Sequence, residues 1–192
     1  HFGAATIGWN NLNLPGVEFR QAQTAISAFF IQKEGNFSLA YPTPVLGKPW
    51  SIPMEFPLYQ WATVVWSNVT GAPLTQSGRT ISLLCFYLSL PAIWMFLRRL
   101  GLTSEQSSFA LVPVLLCPIY IFYSRAFLIE TMALMFSIWF AVAYVETVKR
   151  RSWLGFIIVA ISGALAGAIK VTTLILFLIP CAIWSAAILI RA

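Results

Sequence analysis

Three of the six glutamates in this chain of 192 residues stand beside residues that suit phosphate chemistry. Glu18 is followed by Arg20, Glu55 lies in a segment rich in proline and aromatic residues, and Arg125 precedes Glu130. Carboxylates act as general bases or as ligands of hard cations, and arginine binds phosphate in two-pronged contacts. We therefore expect chemistry on an anionic phosphate substrate where these residues meet.

Other polar residues could join that site. Gln21 and Gln23 follow Glu18 on the same predicted helix, and Arg79 and Lys170 lie near the ends of apolar segments. The alternative is a solvated charge at a membrane surface, which is cheap to keep, and it applies above all to Arg79 and Lys170. We favour a functional role for the three glutamates, because neighbouring aromatic, proline and apolar residues should hold them in place.

The composition indicates a polytopic membrane protein. The chain is 59% hydrophobic and only 9% charged, with a mean hydropathy of +0.79, far from the balance of a soluble domain. Its formal charge of +6 could suggest nucleic acid, but six of the twelve cations stand directly after apolar runs, at Arg98-Arg99, Lys149 to Arg151 and Arg191. That is the distribution of a membrane protein, and it argues against a nucleic-acid partner.

The apolar runs divide the chain at about residue 75. Residues 1–75 contain no run long enough to span a bilayer, and residues 76–192 contain about five. Alternation then places the cations at 98–99, 149–151 and 191 on the cytoplasmic side, and residues 1–75 and Lys170 on the opposite side. The five predicted spans are Gln76–Leu97, Ser107–Tyr123, Thr131–Val148, Trp153–Ile169 and Val171–Ile190.

The first 75 residues should form an ordered extracytoplasmic loop with juxtamembrane helices. A helix is predicted from Val17 to Gln32, ended by Gly35-Asn36, and the proline-rich segment 41–57 should be extended. Residues 57–71 suit an amphipathic helix at the lipid headgroups, although a spanning helix is the alternative. The expected fold class is therefore an all-α, polytopic helix bundle in the membrane.

The cysteines and the ends of the chain give two further expectations. Cys85, Cys117 and Cys181 lie in apolar runs without CxxC spacing or nearby histidines, which indicates buried small side chains rather than a disulfide or zinc site. The chain begins with His1 and ends directly after an apolar run. We therefore expect it to be part of a longer protein and to be inactive by itself.

Five segments, taken in order, resemble the first half of the GT-C glycosyltransferases, and most closely the branch of protein O-mannosyltransferases and lipid A aminoarabinose transferases. The resemblance covers nearly the whole chain and depends on the order and spacing of the set. The segments are EFRQAQTA, GKPWSIPMEFPLYQW, GRTISLLCFYLSLPAIWMFLRRLG, YSRAFLIET and LAGAIKVTTLILFLIP.

The resemblance implies roles for individual residues. An acidic pair before an arginine acts in catalysis and in metal or acceptor handling, and Glu18 before Arg20 retains its second acid. Glu130 matches the acid of the second loop, and Lys170 matches the family's Gly-x-x-Lys turn. Glu55 stands where the family often carries a lysine, so a phosphate-binding role does not extend to that position.

The resemblance also implies the reaction. Such enzymes transfer a sugar from a polyprenyl-phosphate donor to a lipid, protein or glycan acceptor outside the cytoplasm, in the plasma membrane if the source is bacterial. Glu18 would be the general base or, with Glu130, a ligand of a divalent cation such as Mg²⁺ or Mn²⁺. Glu55 and Glu130 would position metal or acceptor. The donor phosphate would be bound by Arg20, Arg125 and Lys170, and Gln21 and Gln23 would also take part in substrate binding.

Two other classes of function remain open from the sequence. A transporter or flippase for a lipid-linked anion would line a path with polar groups, but it should carry charges or broken helices near the bilayer midplane. A structural subunit of a membrane complex would tolerate replacement of the glutamates. The position of the charges at the ends of apolar runs favours the transferase.

Overall fold

The computed structural model describes residues 1–11, 14–41, 43 and 55–191, and every regular element in those ranges is a helix. The predicted all-α fold class is therefore confirmed. In chain order the helices are α1 (Phe2–Ala5), α2 (Glu18–Glu34), α3 (Leu58–Thr70), α4 (Leu74–Arg99), α5 (Ser104–Phe109), α6 (Leu111–Leu116), α7 (Pro118–Arg125), α8 (Glu130–Arg150) and α9 (Trp153–Arg191).

Three of these helices, α4, α8 and α9, are long and apolar enough to cross a membrane. Two shorter helical segments, residues 104–116 and 118–125, would make a fourth crossing only if they act together. These helices are consistent with an integral membrane protein, as the composition predicts.

The predicted span Ser107–Tyr123 is a bent pair of helical segments rather than one straight helix. The chain bends by 70° between residues 104–116 and 118–125. The bend lies at Cys117, which has an extended backbone with φ −65° and ψ 119° and precedes Pro118 at the first position of α7. Proline lacks an amide hydrogen and disfavours the helical conformation in the residue before it, so the helix must break there.

Helix α9 is interrupted at Lys170, whose φ of −160° and ψ of 94° are not helical. Val159, before the break, and Cys181, after it, pack in one cluster around Phe140 of α8. In a continuous helix these two residues would be about 33 Å apart. Residues 153–169 and 171–191 therefore fold back on each other, and the turn lies where the sequence places the boundary between the last two predicted spans.

The helices of the first third end close to their predicted limits. Helix α2 runs two residues beyond the predicted Gln32 and is capped by Gly35, and α3 is capped by Gly71; both glycines adopt positive φ. With 13 residues, α3 rises about 20 Å and is too short to cross a bilayer core of about 30 Å. Most of the proline-rich segment predicted to be extended lies outside the described residues.

The described chain forms two compact units. Unit 1 comprises residues 1–85 and 115–131, and unit 2 comprises residues 86–114 and 132–192. The three cysteines are free thiols; Cys85 and Cys181 are buried, as the sequence predicts, whereas Cys117 is only half-buried.

Candidate functional site

Three site residues predicted from distant parts of the sequence meet in unit 1. Arg20 Nη2 lies 3.2 Å from Glu55 Oε1 and 4.0 Å from Glu130 Oε1. The Arg20 side chain is 45% exposed, whereas those of Glu55 and Glu130 are 18% and 23% exposed. We call these three residues the Arg20 cluster. It offers one accessible guanidinium and two partly buried carboxylates, a combination that can bind phosphate and accept a proton.

The short segment before α8 places Glu130. Ser82 of α4 donates its hydroxyl hydrogen towards the carbonyls of Ala126 and Leu128, at 2.7 and 3.2 Å. Tyr59 of α3 donates to the carbonyl of Gly78 at 2.7 Å, and its hydroxyl lies 2.9 Å from that of Ser82. Residues 126–129, which directly precede α8, are therefore held in a fixed orientation, and they fix the position of Glu130.

An aromatic contact supports the same segment. The rings of Tyr59 and Phe127 meet edge to face, with centroids 5.7 Å apart, and both side chains are buried. A Cβ at Gly78 would lie 2.3 Å from the Phe127 ring, so only glycine leaves room for this ring. Burial raises the pKa of Tyr59, and the nearby charge of Glu130 adds to that increase, so its hydroxyl remains a hydrogen-bond donor at neutral pH.

The start of α2 is held by Gln21, which the sequence assigns to substrate binding. Its fully buried amide contacts the backbone of Leu14 twice: Nε2 donates to the carbonyl at 2.8 Å, and Oε1 accepts from the amide at 3.3 Å. Leu14 in turn packs against Ala126 and Leu128. In the structure Gln21 therefore fixes the turn of the helix that carries Arg20.

Glu55 is positioned through its backbone. The Tyr41 hydroxyl donates to the Glu55 carbonyl at 2.7 Å and accepts from the Glu55 amide at 3.4 Å. Tyr41 is almost fully buried, so this anchor connects the carboxylate to the core of unit 1. Burial of the tyrosine thus limits how far Glu55 can move from Arg20.

Glu18 has a different setting from the other two glutamates. It is the exposed first residue of α2, and residues two apart on a helix point about 200° away from each other, so Glu18 and Arg20 occupy different faces. Hydrogen bonds from the backbone at Glu18 itself and at Gly16 lower the pKa of its carboxyl group. Its predicted role as the base stays a prediction, but a lowered pKa weakens a general base.

Two arginines bind the N-terminal segment by its backbone. Arg79, which is fully buried, donates to the carbonyls of Gly8, Trp9 and Asn11. Arg125, assigned from the sequence to donor binding, donates to Ala4 at 3.2 Å and also to Ile7. Both guanidinium groups thus contact backbone carbonyls and fix residues 4–11 against α4 and α7.

Gln23 and Lys170 are the two remaining residues that the sequence predicts to bind substrate. Gln23 lies half-buried on α2, and its carbonyl accepts a hydrogen bond from Ser27. Lys170 belongs to unit 2, where it forms the break in α9. Their roles in substrate binding stay predictions.

The donor set for a metal ion is sparse. Among the residues that the structure describes, no group of three or more histidine, cysteine or acidic side chains could hold a metal ion. The metal role of Glu18 and Glu130 stays a prediction.

The residues that position the site were missed in the sequence. Ser82 and Gly78 stand four residues apart on α4, a spacing of small residues that lets another segment approach a membrane helix closely. That spacing was the available signal. Tyr59 and Tyr41 had no comparable signal, because an aromatic residue near a membrane surface is expected whether or not it supports a site.

Comparison of the chain with models of known protein families, with curated proteins and with solved structures finds no match.

Proposed function

We propose that this chain carries part of the active site of a membrane glycosyltransferase that uses a polyprenyl-phosphate sugar as donor. The observation that supports it best is the Arg20 cluster, in which a cation for phosphate lies within 4.0 Å of two carboxylates. Its residues are separated by 35 and 75 positions along the chain, and two of them, Arg20 and Glu130, stand where the resemblance to GT-C enzymes places an arginine and an acid.

In the proposed reaction the acceptor hydroxyl attacks the anomeric carbon of the sugar. The bond from that carbon to the phosphate oxygen breaks, and its electron pair leaves with the polyprenyl phosphate. A carboxylate takes the hydroxyl proton, and Arg20 stabilises the charge on the departing phosphate. The acceptor is a lipid, protein or glycan on the extracytoplasmic side of the membrane.

Glu130 is the better base of the two carboxylates in the cluster. Its distance to Arg20 is longer than that of Glu55, 4.0 against 3.2 Å, so Glu55 is the closer ion-pair partner of the guanidinium. Glu130 also begins α8 directly after the segment that Ser82 and Tyr59 hold. We assign the proton transfer to Glu130 and the orientation of Arg20 to Glu55.

The test is sugar transfer by the protein encoded by the complete gene. Membranes lacking the gene would receive the purified protein with radiolabelled polyprenyl-phosphate mannose, glucose or aminoarabinose. The Glu130→Gln variant should transfer about 10² to 10⁴-fold more slowly with donor binding retained, because the amide keeps its size but cannot take the proton.

Glu34→Gln is the matched control, since Glu34 is exposed at the far end of α2. Equal rates for the two variants would refute the role of Glu130, and Glu55 and Glu18 would then be tested in the same way. Movement of the labelled donor across the membrane without any transfer would support a flippase instead.

A further inference from the structure

Unit 2 contains a second arginine–glutamate cluster, at the C-terminal ends of α4 and α8. Arg99 Nε lies 2.8 Å from Glu146 Oε2, and Arg150 forms an ion pair with the same carboxylate. Lys149 Nζ donates to the carbonyl of Arg99 at 2.9 Å. We call these four residues the Glu146 cluster. It holds three cations but one carboxylate, which pairs with the two arginines, so the cluster carries excess positive charge.

A cavity of about 380 Å³ adjoins this cluster. Two of its lining residues, Arg99 and Lys149, belong to the cluster, and the others are almost entirely apolar. Such a lining fits a molecule with a negative group at one end and a hydrocarbon at the other. The apolar lining residues are Phe96, Leu100, Val145, Pro180, Cys181 and Trp184.

Stabilisation of helix ends explains only part of this arrangement. Cations near a helix C-terminus interact favourably with its carbonyls, and the contact from Lys149 to the Arg99 carbonyl is such an interaction. That effect requires no apolar cavity beside the cations. Helices α4, α8 and α9 are long and apolar enough to lie in a bilayer, where lipids with phosphate headgroups are abundant.

We propose that this cavity binds an anionic glycerophospholipid of the surrounding membrane. The phosphate contacts Arg99 and Lys149, and an acyl chain lies along Pro180 and Trp184. Basic pockets between membrane helices bind anionic lipid headgroups by the same combination of charge and apolar contact. This inference does not depend on the proposed transferase activity, since all of the residues concerned belong to unit 2.

Quenching of Trp184 by brominated lipids tests the proposal. The complete chain would be placed in phosphatidylcholine vesicles that contain a fraction of brominated lipid. The brominated lipid is phosphatidylglycerol in one set of vesicles and phosphatidylcholine in the other. The signal of Trp184 is the difference between the unaltered protein and the Trp184→Phe variant. We expect phosphatidylglycerol to occupy the site about five-fold more strongly, because one cation near the lipid surface contributes roughly 1 kcal/mol and Arg99 is already paired with Glu146, which leaves Lys149 to supply the preference.

Two charge-neutralising variants separate a site from diffuse attraction. Lys149→Gln should abolish the preference for phosphatidylglycerol, whereas Arg151→Gln should keep it, because Arg151 is exposed and does not line the cavity. Lys149→Arg should also keep the preference, which guards against a folding defect in the glutamine variant. Equal quenching by the two lipids, or an equal loss in Lys149→Gln and Arg151→Gln, would overturn the proposal.

Discussion

The Arg20 cluster and the Glu146 cluster use the same residue types in opposite proportions. In the first, one arginine lies beside two carboxylates, and in the second, one carboxylate lies beside two arginines and a lysine on the neighbouring backbone. The first can accept a proton next to a cation, and the second has positive charge to offer an anion. The ratio of charges, more than the presence of an ion pair, thus distinguishes the two sites.

The clusters also differ in how the chain builds them. The Glu146 cluster lies at the ends of two helices and includes an i,i+4 pair, Glu146 with Arg150, which forms within a single helix. The Arg20 cluster joins α2, α8 and the residue at 55, and it depends on the buried contacts of Tyr41, Tyr59 and Gln21. A site of the second kind requires tertiary packing before its charges can meet.

Removal of the arginine should give the largest difference between the clusters. We expect Arg20→Ala to weaken donor binding by about 10- to 100-fold, because hydrogen bonds to a charged group contribute about 1.5–3 kcal/mol. Arg99→Ala, a matched change in the Glu146 cluster, should leave donor affinity unchanged. Binding of a polyprenyl-phosphate sugar to both variants in the same detergent measures the difference. Equal affinities of the two variants would contradict the proposal that the Arg20 cluster binds the donor.

Overpacking at Gly78 should affect the Arg20 cluster through its support. An alanine Cβ would lie 2.3 Å from the buried Phe127 ring, so the ring must move, at a cost of about 1–3 kcal/mol in the free energy of unfolding. Thermal unfolding in detergent should show the loss. Gly3→Ala is the control, since no atom lies within 4 Å of the added Cβ; similar melting of both variants would show that Phe127 is not tightly held.

Glu18 should give the smallest effect, and one that depends on pH. Because backbone hydrogen bonds lower its folded pKa, its carboxylate stabilises the fold at neutral pH, and that stabilisation is lost as the pH falls through the lowered pKa. The difference in unfolding midpoint between the unaltered chain and Glu18→Gln should therefore narrow in acid. A difference that stays constant from neutral to acidic pH would contradict this account of the carboxylate.

The sequence by itself determined the helical, membrane-compatible character of this chain. Local rules suffice for this: long apolar runs, glycines at 35 and 71 that end helices, and cations that follow the apolar segments. The same rules placed the break at Lys170, because a lysine between two apolar runs is costly inside a bilayer. They did not show the bend within residues 107–123, which the effect of Pro118 on Cys117 produces despite the continuous apolar pattern.

Only the tertiary structure decided which polar residues meet. From the sequence, Glu18, Glu55 and Glu130 were equally good candidates for the site. In the structure, helix geometry turns Glu18 away from Arg20, whereas buried hydrogen bonds hold the other two glutamates beside it. Arg125 was likewise a phosphate ligand by its residue type, and the fold places it on backbone carbonyls. A charged side chain can satisfy its hydrogen bonds in several ways, and the choice depends on partners that lie far away in the sequence.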